Sequence, residues 1–472
     1  MTVSFFEGPA GSGKTYKLIE RTRELVTAGM LAEEQRVLAL TFMHGARRRL
    51  EASLGEHPEL RRRFECKTVD AFAQTIATRQ RGLADARALV APENLNQFDA
   101  ICYVAGRLLE SPCVPKWIAA SYPLILIDEA QDLDPGRLRI LQGLAPHCAL
   151  VAAADEFQCL ENGVDAGPTI SWLDSFGNTI RLDGSHRTSQ SGILQAAQTV
   201  RDAGSVPAVL TKHANYETWQ GPGFKLVEVP GSPALLARTI SWELEAFKSG
   251  DVAIITPDTR NPLLMEALAQ VQTRHWSYRK GGAATFGPFS LGWDRSESER
   301  AKELWQQLAL PEICTLEHVS ERDGAAAVDP MLVRVRARME RSIRLSGERS
   351  FASERVNEMI EDAVRDVSRF GGHSGPRRVT MSVHRAKNRE FANVIVLWPP
   401  YQVGGNDDHQ RRLLYNAITR AKLRCTVIAV GKGRVATAPF ASESATAPIA
   451  VVKSTRRKKP RSNGRHARSL RS

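Results

Sequence analysis

No apolar run in this chain approaches the roughly 20 residues that a helix needs to cross a bilayer. That excludes a helical membrane protein. Met1 leads almost at once into a strand-like stretch, so no secretory leader is expected. The seven cysteines are odd in number and scattered, with no C-x-x-C pair. The pattern argues for buried thiols in a reducing cytosol rather than for a zinc site. There is no internal repeat. Acidic residues are missing from Lys453 to Ser472, where nine basic residues supply nine of the net +12 charges. This stretch reads as a disordered basic tail, either simply solvated or binding phosphates through counterion release.

The rest has an ordinary globular composition, with 42% hydrophobic and 25% charged residues. At 472 residues the chain can hold roughly two to four domains. Residues 1–184 alternate strand-like and helix-like patterns, which predicts an α/β domain with a mainly parallel sheet. Strands are expected at Val3–Phe6, Val37–Phe42, Leu124–Ile127 and Leu150–Ala154, with a helix over Lys14–Ala28 closed by Gly29. Asp134-Pro135 reads as an N-cap followed by proline in the first turn. A small helical insertion is expected at about 79–116. A second α/β pattern covers 185–273 and 377–452, interrupted by a mostly helical insertion at 274–376.

Chemistry concentrates at strand ends. Gly8-Pro9-Ala10-Gly11-Ser12-Gly13-Lys14-Thr15 follows a strand and opens a helix, the context a phosphate-binding loop requires. Its glycines allow a tight backbone whose N–H groups face phosphate oxygens, and the helix N-terminus adds a favourable dipole. Lys14 would neutralise phosphates and Thr15 would ligate Mg2+. Asp128 and Glu129 stand at the end of the apolar run Pro123–Ile127. Adjacent carboxylates there are costly unless a metal and a reaction employ them. Asp128 reads as a Mg2+ partner, direct or one step removed, and Glu129 as the base or orienter of the attacking water.

With these residues the chain resembles the UvrD/Rep/PcrA group of superfamily 1 helicases, in motif order from residue 4 to about 430. Thr41-Phe42-Met43-His44-Gly45-Ala46 resembles T-F-T-N-K-A, and Thr68-Val69-Asp70-Ala71-Phe72 resembles T-F-H-S-F. Asp128–Asp132 is similar to D-E-x-Q-D, and Asp155–Gln158 falls where G-D-x-x-Q is expected. Ser185-His186-Arg187-Thr188 resembles N-Y-R-S, and Ser382–Phe391 resembles T-x-H-x-A-K-G-x-E-F. Tyr415–Lys422 resembles Y-V-A-x-T-R-A-K.

The resemblance implies two tandem RecA-like P-loop domains, each with a parallel sheet, and ATP with Mg2+ in the cleft between them. It makes Gln158 a γ-phosphate sensor, Arg187 and Arg420 γ-phosphate arginines, His186 a stacking partner for adenine, and Glu390 a ribose contact. Thr41, Phe42, Thr68, Phe72 and His384 become contacts to single-stranded DNA. The implied activity is a DNA translocase and helicase running 3′ to 5′, on single-stranded or tailed duplex DNA. The setting would be cytoplasmic, bacterial or phage-encoded and nucleoid-associated, in DNA repair with a partner nuclease or repair protein. The alternative is a nucleic-acid-gated ATPase switch serving a repair or defence complex without unwinding. A phosphate-loop kinase accounts for the first twenty residues but not for Arg187, Glu390 and Arg420.

Departures from the family pattern are informative. No glutamine precedes the phosphate loop to read adenine, and Cys159–Gly163 lacks the aromatics that would stack on bases. Stacking must then come from elsewhere, with Phe42, Phe72 and Trp172 as candidates. Gly45 replaces a lysine, partly compensated by Arg47-Arg48-Arg49, and Asn388 replaces a glycine.

Overall fold

The computed structural model describes residues 2–42, 44–160, 163–214, 217–247, 250–278, 284–294, 297–320, 330–370 and 377–441. The basic tail expected at 453–472 lies outside the described residues, as does 442–452.

Strands β1 (Val3–Glu7), β2 (Val37–Thr41), β3 (Phe64–Thr68), β4 (Leu124–Ile127), β5 (Ala149–Ala154) and β6 (Thr179–Arg181) form one sheet. Their order is β3-β2-β4-β5-β1-β6 and every pairing is parallel. β2 and β4 are buried at every residue, as expected of strands covered on both faces by helices. β3 is a strand the apolar pattern did not reveal. It is an edge, and Glu65 and Lys67 alternate with buried Cys66 and Thr68. Helices α1 (Lys14–Thr27), α2 (His44–Gly55) and α3 (Val69–Arg79) follow β1, β2 and β3. The stretch 79–116 carries the helices Arg81–Ala86 and Gln97–Leu109, and Cys102, Ala105 and Leu108 of the latter are fully buried in this sheet's core.

The second sheet has eight strands in the order Gly292–Trp293, Arg378–Ser382, Val252–Thr256, Phe391–Trp398, Ala421–Val430, Phe224–Val229, Thr218–Gly221 and Thr211–Lys212. It is mixed, which corrects the parallel sheet implied by resemblance. The first six strands pair in parallel, and the last two add antiparallel. The cause is local: Gly221 pairs with Phe224 across Pro222-Gly223, and Gly223 sits at φ +72°. Proline followed by a left-handed glycine suits a two-residue turn, and so short a connection can only join antiparallel strands.

The stretch 274–376 divides in two. Phe286, Phe289 and Leu291 pack into the second sheet's core, and Gly292–Trp293 extends that sheet. Residues 297–320 and 330–370 build a separate core on Leu304, Val335, Met339, Phe351 and Ile360. Because this core is separate, Phe351→Ala should remove about 3–5 kcal/mol from it alone. Hydrogen exchange is expected to rise first within 297–370, with the phosphate-loop sheet still protected.

Candidate active site

The site collects the C-terminal ends of the first sheet's strands. The loop after β1 holds Gly11 and Gly13 at φ +82° and +85°. A Cβ on Gly11 would lie 2.5 Å from Ser185 Oγ, so the loop can pack against the next segment only as glycine. The His186 backbone N–H donates to Gly11 O at 2.7 Å. Lys14 Nζ donates to the carbonyls of Gly8 (2.8 Å) and Pro9 (3.0 Å), with Asp155 Oδ2 at 4.0 Å. Thr15 Oγ1 donates to Asp128 Oδ2 at 3.0 Å, which places the two expected Mg2+ partners side by side.

Glu129 is a non-glycine residue at φ +60°, ψ +44°. Such a backbone costs roughly 1–2 kcal/mol, and strain of this kind gathers at functional sites. Gln131 holds the conformation by donating its amide to the Glu129 carboxylate while its carbonyl accepts from Asp155 N at 3.0 Å.

Opposite stand His186, Arg187, Asn388, Glu390 and Arg420, which together with Lys14, Thr15, Asp128, Glu129 and Gln158 line a cleft of about 400 Å³. Arg187 donates to Glu390 Oε1 at 2.7 Å and to Thr419 O at 2.8 Å. Arg420 is fully buried and donates to Asn416 O at 2.9 Å. Asn388 takes φ +63°, where glycine or asparagine is favoured.

Charge in the cleft is finely set. Burial, reinforced by the charge of Glu129, raises the Asp128 carboxyl well above its ordinary range. Burial also opposes the charge of Glu129, but Lys387, Lys14, the Gln131 hydrogen bond and Arg420 outweigh it and lower its pKa. Burial and the nearby Arg187 bring Arg420 down to about 9. Two crowded guanidiniums and a desolvated carboxylate beside a hydroxyl are what an anionic ligand with a hard divalent cation would relieve. The donor set fits Mg2+.

Several contacts tie the walls together, two of them beside the phosphate loop and the Glu129 turn. Lys387 Nζ meets Asp132 Oδ1 at 2.7 Å, with both residues buried. The Ala10 backbone N–H donates to the Tyr415 hydroxyl at 2.9 Å. Arg201 reinforces the second contact, pairing with Asp155 at 2.8 Å while lying over the Tyr415 and Phe157 rings.

The expected strand contacts scatter. Thr41 is buried at the end of β2, Thr68 caps α3 by accepting from Ala71 N at 3.2 Å, and Phe72 points into the core beside Val69 and Ile76. Phe72 therefore offers no face to a base, because it lies on the buried stripe of α3. Phe42 is half-buried, with the Arg137 guanidinium 5.3 Å from its ring centre. Half-buried His384 has Nε2 3.3 Å from Leu160 O. Trp172 is also half-buried and packs edge-on against Phe176. Sequence reasoning missed Tyr16, which is 65% exposed and lines the cleft with His186. Its signal was an aromatic directly after the loop's Lys-Thr.

A phosphate loop completed by arginines from a second α/β unit defines a P-loop nucleotide-binding protein with its site between two sheets. Residues 1–164 match the family model of an AAA domain, and residues 379–428 match that of a UvrD-like helicase C-terminal domain. No curated protein matches the chain. Both matches, in this order, support a UvrD/Rep-like superfamily 1 helicase.

Removing one partner of the buried Lys387–Asp132 pair strands the other charge, so Lys387→Met should cost about 3–5 kcal/mol by chemical denaturation. Lys387→Met with Asp132→Leu should recover most of that loss. Glu390 is lowered from 4.5 to about 2: burial opposes its charge, but Arg187 and Lys422 outweigh it. Its stabilisation is complete above 4.5 and disappears as pH falls towards about 2. In Glu390→Gln, the urea midpoint should consequently fall less steeply than in wild type over that interval.

Proposed function

We propose that this protein hydrolyses ATP in the cleft between its two sheets and uses closure of that cleft to move along single-stranded DNA, 3′ to 5′. One observation carries this function: a single cleft gathers Lys14, Thr15, Asp128, Glu129 and Gln158 from one wall and Arg187, Glu390 and Arg420 from the other. Phosphoryl transfer depends on positioning and on charges aimed at the equatorial oxygens, and these are the groups such a reaction needs. Lys14 leaves its loop carbonyls for the phosphates. Glu129, kept ionised, orients the attacking water and takes its proton. Arg187 and Arg420 receive the charge that develops on the γ-phosphoryl group. A Mg2+ ion held at Thr15 and Asp128 would neutralise the phosphate oxygens. The base would lie between His186 and Tyr16, in place of a glutamine-read adenine.

Because the cations come from both walls, ATP favours the closed arrangement over the open one, and hydrolysis removes that preference. Alternate closure against a gripped strand is translocation. The absence of aromatics after Gln158 and the buried ring of Phe72 favour one rival, an ATPase switch gated by nucleic acid that does not unwind.

Arg420→Ala should keep nucleotide binding and lose roughly 10³-fold in hydrolysis; full ATPase activity in that variant would sink the mechanism. Strand displacement on a tailed duplex, measured beside DNA-stimulated hydrolysis, separates motor from switch. Stimulation without displacement identifies the switch.

A further inference from the structure

Arg47-Arg48-Arg49 read as one basic cluster in the sequence, but the helix splits it. Successive helical residues point about 100° apart, whereas positions i, i+3, i+4 and i+7 share a face. On α2 that face is Ala46, Arg49, Leu50 and Ser53, and all four line the nucleotide cleft, while Arg47 and Arg48 do not. Arg49 therefore turns away from its neighbours and towards the phosphate loop. Arg49 is an exposed residue on the rim of the cleft, where partial desolvation lowers the pKa of its guanidinium while the carboxylates of Asp128, Glu129 and Glu390 pull the other way. Among the described residues none of these carboxylates lies within ion-pair distance of it.

We infer that Arg49 is a nucleotide-binding residue, contributing a second first-domain cation that grips the phosphate chain beside Lys14. This inference rests on the ATP-binding function proposed above. Its planar fork of donors suits a phosphate, which accepts two parallel hydrogen bonds. Its position also sets its role apart from that of the other arginines. Arg187 and Arg420 reach the cleft from the opposite wall and depend on closure. Arg49 and Lys14 are carried by the same sheet, through α2 and the phosphate loop, so their grip persists when the cleft opens and after the γ-phosphate has gone. Arg49 thus binds diphosphate and triphosphate alike, and retains the product between strokes.

The test is calorimetric binding of MgADP and of a non-hydrolysable MgATP analogue to the full chain, with the KM for MgATP measured in parallel. Arg49→Ala is expected to weaken both nucleotides to the same extent, by about tenfold or more. The loss should fall on KM more than on kcat. Arg49→Lys, which keeps charge but not the fork, should fall between, and it guards against misfolding of the alanine variant. Arg420→Ala provides the contrast, with MgADP affinity kept. Unchanged nucleotide affinity together with weaker binding of an oligothymidine strand would overturn the inference and return Arg49 to the strand-binding surface. A loss confined to kcat would also overturn it. Wild-type protein that binds neither nucleotide would bring down the ATP-hydrolysing function itself.

Discussion

The arrangement of the site depends on one buried ion pair, Lys387 with Asp132. Two charges taken out of water are costly, and they are tolerable only while each has the other at hydrogen-bond distance. The pair spans the cleft and holds the walls in the arrangement seen in this structure. Asp132 belongs to the same short turn as Glu129, donating its backbone N–H to Glu129 O at 3.1 Å. Lys387 immediately precedes Asn388, Arg389 and Glu390. Fixing this pair therefore registers Glu129 of one wall against Glu390 and the arginines of the other.

A second line of contacts runs behind the phosphate loop. Glu129 leans on Gln131, Gln131 on the Asp155 backbone, and Asp155 on Arg201, which packs over Tyr415. Tyr415 returns to the loop through Ala10. Desolvation pushes the Tyr415 hydroxyl up to about 12, so it stays a neutral phenol and can accept that bond without charge. Glu129, the segment after β5 and the helix Ser191–Arg201 are thus joined by polar contacts. Such a network couples the first sheet's strand ends to the second sheet, because breaking its buried hydrogen bonds leaves polar groups unpaired.

Much of this was legible in the chain. The strand Leu124–Ile127 has the bounds its apolar run predicts, because buried parallel strands write themselves as continuous hydrophobic segments. Asp134 caps its helix by accepting from Arg137 N at 2.8 Å, as Asp-Pro suggests. β3 escaped notice because an edge strand tolerates Glu65 and Lys67. The antiparallel edge of the second sheet was foreshadowed only by Pro222-Gly223. Phe72 shows the opposite failure: a motif position was visible, but its direction was set by the amphipathic stripe of α3.

The sequence by itself determined the chemistry: a glycine loop ending in Lys14-Thr15, the carboxylates Asp128 and Glu129, and the arginines at 187 and 420. The loop and the carboxylates follow from local spacing, since backbone turn and strand end need particular residues at particular offsets. The two arginines follow instead from the resemblance to the helicase family. Only the tertiary structure decided which side chains meet. It brought Lys387 to Asp132 across 255 positions, paired Tyr415 with Ala10, and turned Arg49 into the cleft and Phe72 away from it. Burial and direction depend on what packs against a residue, and that partner lies far along the chain.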